Sequence, residues 1–290
     1  MKTKTLSKIG MALGLGFLLA ACSEEDAGKE SDVKEVNLTY VEWDTEVAST
    51  HVVGQVLEDI GYKVSYTPLD NAIMWEAVSK GEADAMVSAW LPHTHAAQYE
   101  KYKADLDELG ENLAGAKIGL VVPSYMKVNS IEELTNEADQ TITGIEPGAG
   151  ITAATEDALK EYDQLADWEL LPSSSGAMTT ALAQAIANEE DIIITGWSPH
   201  WKFASYDLKY LEDPKGIYGG EETINTFARK GFKDEFPDAY SILDNFHWTS
   251  EDLEEVMLEI LNGSDPKDAA KNWIQDNEAT VAEWTKDVKK

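Results

Sequence analysis

From Val36 onward, short apolar runs with strand-like composition alternate with segments whose apolar residues recur at helical spacing, the pattern of an α/β fold. VNLTYVEW (Val36 to Trp43) predicts a strand. ASTHVVGQVLEDIG (Ala48 to Gly61) predicts an amphipathic helix stopped by glycine. KVSYTPL, NAIMWEAVSKG and ADAMVSAWL continue as strand, short helix and strand, and an acidic, tyrosine-rich segment leads to the extended, apolar KIGLVVP (Lys117 to Pro123). The alternation then repeats. TITGIEPGAG (Thr141 to Gly150) reads as a strand and a glycine-rich turn, ITAATEDALKEY as a helix, WELLPSSSGAMTTALAQAIANEED as strand, turn and helix, and DIIITGW as another strand. Val121 to Pro123 offer a crossing from one lobe to another, and INTFARKGF (Ile224 to Phe232) a return. Beyond Phe236 the pattern is helical, with SEDLEEVMLEILNG opening at a serine cap and closing at Gly263. Two lobes follow, one from 36–120 with 231–290 and one from 121–230.

The first 35 residues have a different character. Lys2, Lys4 and Lys8 precede an uncharged stretch, Ile9 to Ala21, too short to span a bilayer as a permanent helix, so residues 1–21 read as a secretory signal peptide. It closes on Leu19-Ala20-Ala21-Cys22, which resembles a bacterial lipobox. That resemblance implies cleavage before Cys22, lipidation of its thiol and attachment to the outer face of the cell membrane. Residues 22–35, charged and poor in apolar side chains, read as a tether. Cys22 is the only cysteine, which leaves none for a disulfide framework or a thiolate nucleophile. The net charge of −31, with no basic run, argues against a nucleic-acid partner.

Three tryptophans stand where strand-like runs give way to polar turns: Trp43, Trp90 and Trp197. Strand carboxyl ends are where α/β proteins bind ligands, and three ring faces can enclose a cation that has no N–H to donate. In IEPGAGI, Gly148 and Gly150 permit a tight turn before a helix, leaving the amides of Gly150 and Ile151 free to bind an anion. His95, five residues past Trp90, is within reach of a carboxylate held beside that ring; His93 and His95 also have His-x-His spacing, but no matching metal-ligand cluster accompanies them. Trp75 and Trp201 are expected to pack behind the cage. His200 is expected to order its loop, and Trp168, Trp248, Trp273 and Trp284 to serve packing. Ser173 to Ser175 read as a capping turn. An enzyme using His95 or His200 with Ser174 or Asp44 is the competing class, although no Gly-x-Ser-x-Gly elbow is present.

Taken together, the lipobox, YVEWD, SAWLPHTH, GIEPGAGI and IIITGWSPHW resemble the glycine betaine-binding lipoproteins of ABC importers over nearly all of the chain past the signal. The resemblance implies a two-lobed periplasmic-binding-protein fold of type II, with ligand in the interlobe cleft. It also implies a monomer that captures a betaine for osmoprotection and passes it to a permease and ATPase, without cofactor, metal or catalysis. Carried over position by position, the cation cage falls on Trp43, Trp90 and Trp197, and the carboxylate site on Gly150, Ile151 and His95. The PGxGI and SAWLPxTH segments stand in the opposite order from the better-known arrangement, as in a circular permutation. Proline betaine, carnitine, choline and dimethylsulfoniopropionate are the alternative ligands, and a non-transporting sensor the alternative role.

Overall fold

The computed structural model describes residues 34–289. The signal peptide, Cys22 and nearly all of the expected tether lie outside them, and the first strand opens at Glu35, the last residue assigned to that tether. The first half runs β1 (Glu35–Tyr40), α1 (Asp44–Asp59), β2 (Lys63–Pro68), α2 (Asn71–Lys80), β3 (Ala85–Leu91) and α3 (Ala96–Tyr102). Next comes an 18-residue strand, β4 (Leu106–Pro123). It is followed by β5 (Thr141–Thr143), α4 (Gly150–Glu161), β6 (Glu169–Leu171), α5 (Ser175–Asn188), β7 (Ile193–Ser198), α6 (Trp201–Ser205), β8 (Leu208–Tyr210) and β9 (Glu222–Arg229). Five helices finish the chain: α7 (Phe232–Glu235), α8 (Pro237–Asn245), α9 (Ser250–Leu261), α10 (Pro266–Asp276) and α11 (Glu278–Trp284).

Strand order is β2-β1-β3-β9-β4-β7-β5-β6, with β8 also on β4. Two parallel triplets, β2-β1-β3 and β6-β5-β7, stand at either end, and antiparallel β9 and β4 join them. From Leu106 to Ala116, β4 pairs with β9; from Lys117 it pairs with β7 and then with β8. The change of partner therefore falls between Ala116 and Lys117. Residues 224–229, read from sequence as a connector, form a central strand instead, because β9 is held on both edges. The acidic, tyrosine-rich segment before KIGLVVP divides between α3 and, from Leu106, the first part of β4. Its helix-averse glycines, Gly110 and Gly115, have φ of +98° and +79° beside register shifts, so they kink the strand without ending it.

Helix α1 starts four residues earlier than its hydrophobic pattern predicts, directly after Trp43, and buries eleven of its residues. Gly54 is required on its packed face, since a Cβ there would lie 2.5 Å from the Tyr66 ring. Helix α9 is capped by Thr249 rather than by the expected Ser250: Thr249 and Asp252 exchange side-chain and backbone hydrogen bonds in a capping box. Trp248, Trp273 and Trp284 form a buried aromatic stack, with Trp273 parallel to Trp284 at 5.6 Å and edge-on to Trp248. That is the packing role expected of them. Among the described residues no helix is long and apolar enough to cross a membrane.

Candidate functional site

Four loops leave the carboxyl ends of parallel strands and converge on one pocket. The loop after β1 brings Trp43, the end of β3 brings Trp90, the turn after β5 brings Ile145 to Ile151, and the end of β7 brings Trp197. All six residues expected at the site, Trp43, Trp90, Trp197, Gly150, Ile151 and His95, line this pocket together with Thr45, Thr94, Ile118, Ile145 and Ala149. None of these side chains is an acid, a lysine or an arginine. The pocket spans about 320 Å³, part of it open to solvent.

Trp43 sits at the cap of α1 with extended backbone, which projects its ring away from the helix. Its indole Nε1 donates to Glu146 Oε1 at 2.5 Å, fixing the ring against the glycine turn 103 residues later. Behind it, Glu46 Oε2 accepts from the Val41 amide at 2.9 Å and so sets the turn that carries Trp43. Burial pushes the Glu46 carboxyl up to about 8, so it is protonated at neutral pH.

His95 is fully buried, and its Nδ1 accepts the Trp90 amide hydrogen at 3.0 Å. That bond assigns the proton to Nε2. Burial pushes the ring down to about 3, so it is neutral, and its Nε2–H faces no acceptor among the described residues. A buried orphan donor of this kind is costly unless a ligand supplies the acceptor. Near it, Gly150 and Ile151 are the first residues of α4, whose N-cap Ala149 offers no side-chain acceptor. Their amides have no partner one turn earlier, so they are directed at an anion position. Gly150 has to be glycine because a Cβ would fall 2.2 Å from the Thr94 carbonyl oxygen.

The neutral state of His95 has a measurable consequence. The unfolded ring takes up a proton near 6.5 and the folded ring resists until about 3, so below 6.5 the unfolded chain binds more protons and stability falls as pH falls. At pH 4.5 this one group is expected to remove about 2–3 kcal/mol relative to pH 7. Urea unfolding at the two pH values should show a smaller loss for His95→Gln than for the wild type. Equal losses would mean that His95 is already protonated in the fold.

Several residues that hold the site were not legible as such from sequence. Glu222, at the start of β9, accepts from the His93 and Thr94 amides at 2.7 and 2.8 Å and also from the Thr94 hydroxyl, pinning the WLPHTH turn. Asp44 accepts from Trp201 Nε1 at 2.8 Å and Ser175 Oγ at 3.1 Å, and His200 Nε2 lies 3.4 Å away. Burial alone would raise the Asp44 carboxyl; the donors His200, Trp201 and Ser175 outweigh it and hold Asp44 well below the usual range. Asn71 Nδ2 donates to the Gly148 carbonyl at 3.3 Å. Asn71, Asp44 and Trp43 thus all tie the α1–α2 side of the molecule to the α4–α6 side.

Trp75 packs edge-on to His95 at 6.0 Å, outside the pocket, as expected of a supporting ring. Trp201 is likewise excluded from the pocket, and His200 caps α6 through Nδ1. Ser174 caps α5, and Ser173 donates to the Gly144 carbonyl at 2.6 Å; neither lines the pocket. His93 is exposed while His95 turns inward, and among the described residues no group of His, Cys, Asp or Glu is placed to hold a metal.

Residues 34–276 match the family described as the substrate binding domain of the ABC-type glycine betaine transport system. The chain belongs to this family. The glycine betaine/carnitine transport binding protein GbuC of Listeria monocytogenes serotype 1/2a (strain 10403S) is 50% identical over 160 residues, 55% of this chain. The match spans about half of that relative, 53% of its length. The crystal structure of lactococcal OpuAC in its closed-liganded conformation, complexed with glycine betaine, is similar with a TM-score of 0.85 and 59% identity, covering 87% of this chain and 99% of that one. The glycine/betaine/L-proline-binding protein (ProX) of Borrelia burgdorferi follows at TM-score 0.84 and 34% identity, covering 87% and 97%. The fold of this glycine betaine-type substrate-binding domain is accordingly the mixed α/β fold of periplasmic substrate-binding proteins.

Proposed function

We propose that this protein is the extracytoplasmic receptor of an ABC importer, and that it captures glycine betaine in the pocket of Trp43, Trp90 and Trp197. The observation that carries the reading is the pairing of three indole rings with an orphaned His95 Nε2–H and two unpartnered helix amides, in a pocket lined by no charged side chain. A trimethylammonium has no hydrogen to donate, so a carboxylate wall would gain no hydrogen bond and would have to be desolvated. Ring faces attract its diffuse charge at about 0.5–2 kcal/mol each. Charge-assisted bonds from Gly150, Ile151 and His95 to the carboxylate would each add roughly 1.5–3 kcal/mol before ordering costs. Nothing in this arrangement activates a nucleophile, which supports a binding role over a catalytic one.

Strand pairing supports dividing the fold into a first lobe of β1–β3, β9, the Leu106–Ala116 part of β4 and the terminal helices, and a second lobe of β5–β8. Trp43 and Trp90 then belong to one lobe and Trp197, Gly150 and Ile151 to the other. Domain closure would assemble the cage. A lipidated Cys22 would hold the receptor at the membrane beside the permease and ATPase to which it delivers its ligand.

Calorimetric titration with glycine betaine, proline betaine, carnitine, choline and dimethylsulfoniopropionate tests the ligand class. Glycine betaine is expected to bind with roughly micromolar to millimolar affinity, and choline, which lacks the carboxylate, more weakly. Silence from all five, with tight binding of a sugar or a free amino acid, would overturn the proposal.

A further inference from the structure

Trp197 has an occupant on one ring face that is not part of the pocket. Lys202, on α6, places Nζ 4.0 Å from the Trp197 ring centroid, is fully buried and does not line the pocket. Among the described residues it is the one lysine or arginine in the buried core. Its Nζ has no hydrogen-bond partner among those residues. The strand beneath it carries Gly196, where a Cβ would collide with Val121 Cγ2 at 2.4 Å and come into ordinary contact with Lys202 Cε at 3.7 Å. With Lys202 on one face, Trp197 has only its other face and its edge to offer the pocket.

An ammonium in this position would bury a full charge and three donors with only the Trp197 ring to accept from it, and a cation–π contact of about 2 kcal/mol does not offset desolvation of that charge, whereas a neutral amine needs no counter-charge and can aim N–H at the ring. The charged and titratable groups around it leave that balance in place. Asp44 of α1 attracts a proton to Lys202 but is already committed to Trp201 and Ser175. His200 precedes it in the same turn, and Glu254 of α9 faces the His200 backbone. Burial is the larger influence and holds the amine well below the usual lysine range.

We propose that Lys202 is a specificity-determining residue of the cage: as a neutral amine it braces the rear of Trp197 and leaves the ring's negative face to a quaternary cation. A positive charge at this position would compete with the ligand for the same π-system. The idea rests on the betaine reading, and it separates two properties of the cage. The indole framework sets the size of the group that fits, and the charge state behind Trp197 sets the preference for a cation over an uncharged group of equal size.

The test compares glycine betaine with 3,3-dimethylbutanoate, in which carbon replaces the quaternary nitrogen, by calorimetry on the wild type, Lys202→Met and Lys202→Arg. The wild type and Lys202→Met are expected to prefer glycine betaine by ratios within about twofold of each other, while Lys202→Arg lowers that ratio about tenfold. An unchanged ratio in Lys202→Arg would overturn the proposal. So would a roughly tenfold higher ratio in Lys202→Met, which would mean that the native lysine is charged. If the arginine variant does not fold, NMR of wild-type protein carrying ¹³C and ¹⁵N in lysine decides. The resonance missing from Lys202→Met must show the shift of a neutral amine at pH 7.5, and an ammonium shift would refute the assignment. Absence of heat from glycine betaine with the wild type would instead sink the functional reading, and the resonance would still report on Lys202.

Discussion

Replacing Trp90 with alanine is expected to weaken glycine betaine binding on the order of a hundredfold. The ring ends β3, is 4% exposed, and lines the pocket opposite the strand pairing that fixes its backbone to Ile224 of β9. Its loss removes a desolvated cation–π contact of about 2 kcal/mol and apolar contact with the methyl groups of roughly another 1 kcal/mol, and 2.8 kcal/mol corresponds to a factor of a hundred. The bond that assigns the His95 tautomer comes from the Trp90 amide rather than from its ring. The carboxylate donors therefore survive the substitution, and the measured loss reports on the cation cage. Deleting a buried indole also destabilises the fold by about 3–5 kcal/mol, so binding has to be read by calorimetry on protein shown by circular dichroism to be folded. Trp90→Phe, which keeps a smaller π-face, is expected to fall between the two. Unchanged affinity in folded Trp90→Ala would remove Trp90 from the cage.

What the chain reveals by inspection, and what it hides, divides along sequence separation. Trp43, Trp90 and Trp197 are legible because each follows an apolar run and precedes a polar turn, so their place at strand ends is a local property. Local signals also make Gly150 and Ile151 legible, as the opening of a helix after a glycine turn, and His95, by its spacing of five residues from Trp90. Their supports are not. Glu222 reaches the WLPHTH turn from more than 120 residues away, and Glu146 takes the Trp43 indole hydrogen across 103. In sequence each is one acid among 54 Asp and Glu residues, and nothing local distinguishes it from a solvated one. Lys202 is hidden more deeply still, since a lysine in the first turn of a short helix reads as surface until the fold buries it. Ile224 to Arg229 of β9 read as a connector because the alternation of that strand is blurred by burial on both faces, and only the apolar Lys117 to Pro123 part of β4 reads as extended, because the part before it is acidic and carries Gly110 and Gly115 at bulges.

The Gly150→Ala substitution is expected to cost about as much affinity as loss of a cage ring, by a different route, and to change selectivity as well. The added methyl would meet the Thr94 carbonyl oxygen at 2.2 Å and the Thr94 Cγ2 at 2.6 Å, so something has to move. Thr94 cannot easily yield, because Glu222 holds both its amide and its hydroxyl. The start of α4 must shift instead, carrying the Gly150 and Ile151 amides away from the position that faces His95. Hydrogen bonds to a charged group contribute about 1.5–3 kcal/mol each, so weakening both predicts on the order of a hundredfold loss for glycine betaine. Overpacking should destabilise the fold by about 1–3 kcal/mol in addition. Choline engages the cage but has no carboxylate for these amides, so its affinity should change much less and the betaine-to-choline preference should collapse. Gly176→Ala, where a Cβ meets nothing within 4 Å, serves as the control and should leave both ligands unaffected. If Gly150→Ala weakened choline and glycine betaine equally, the amides of α4 would be shaping the pocket rather than binding the carboxylate, and His95 would be left as the only donor to that end of the ligand.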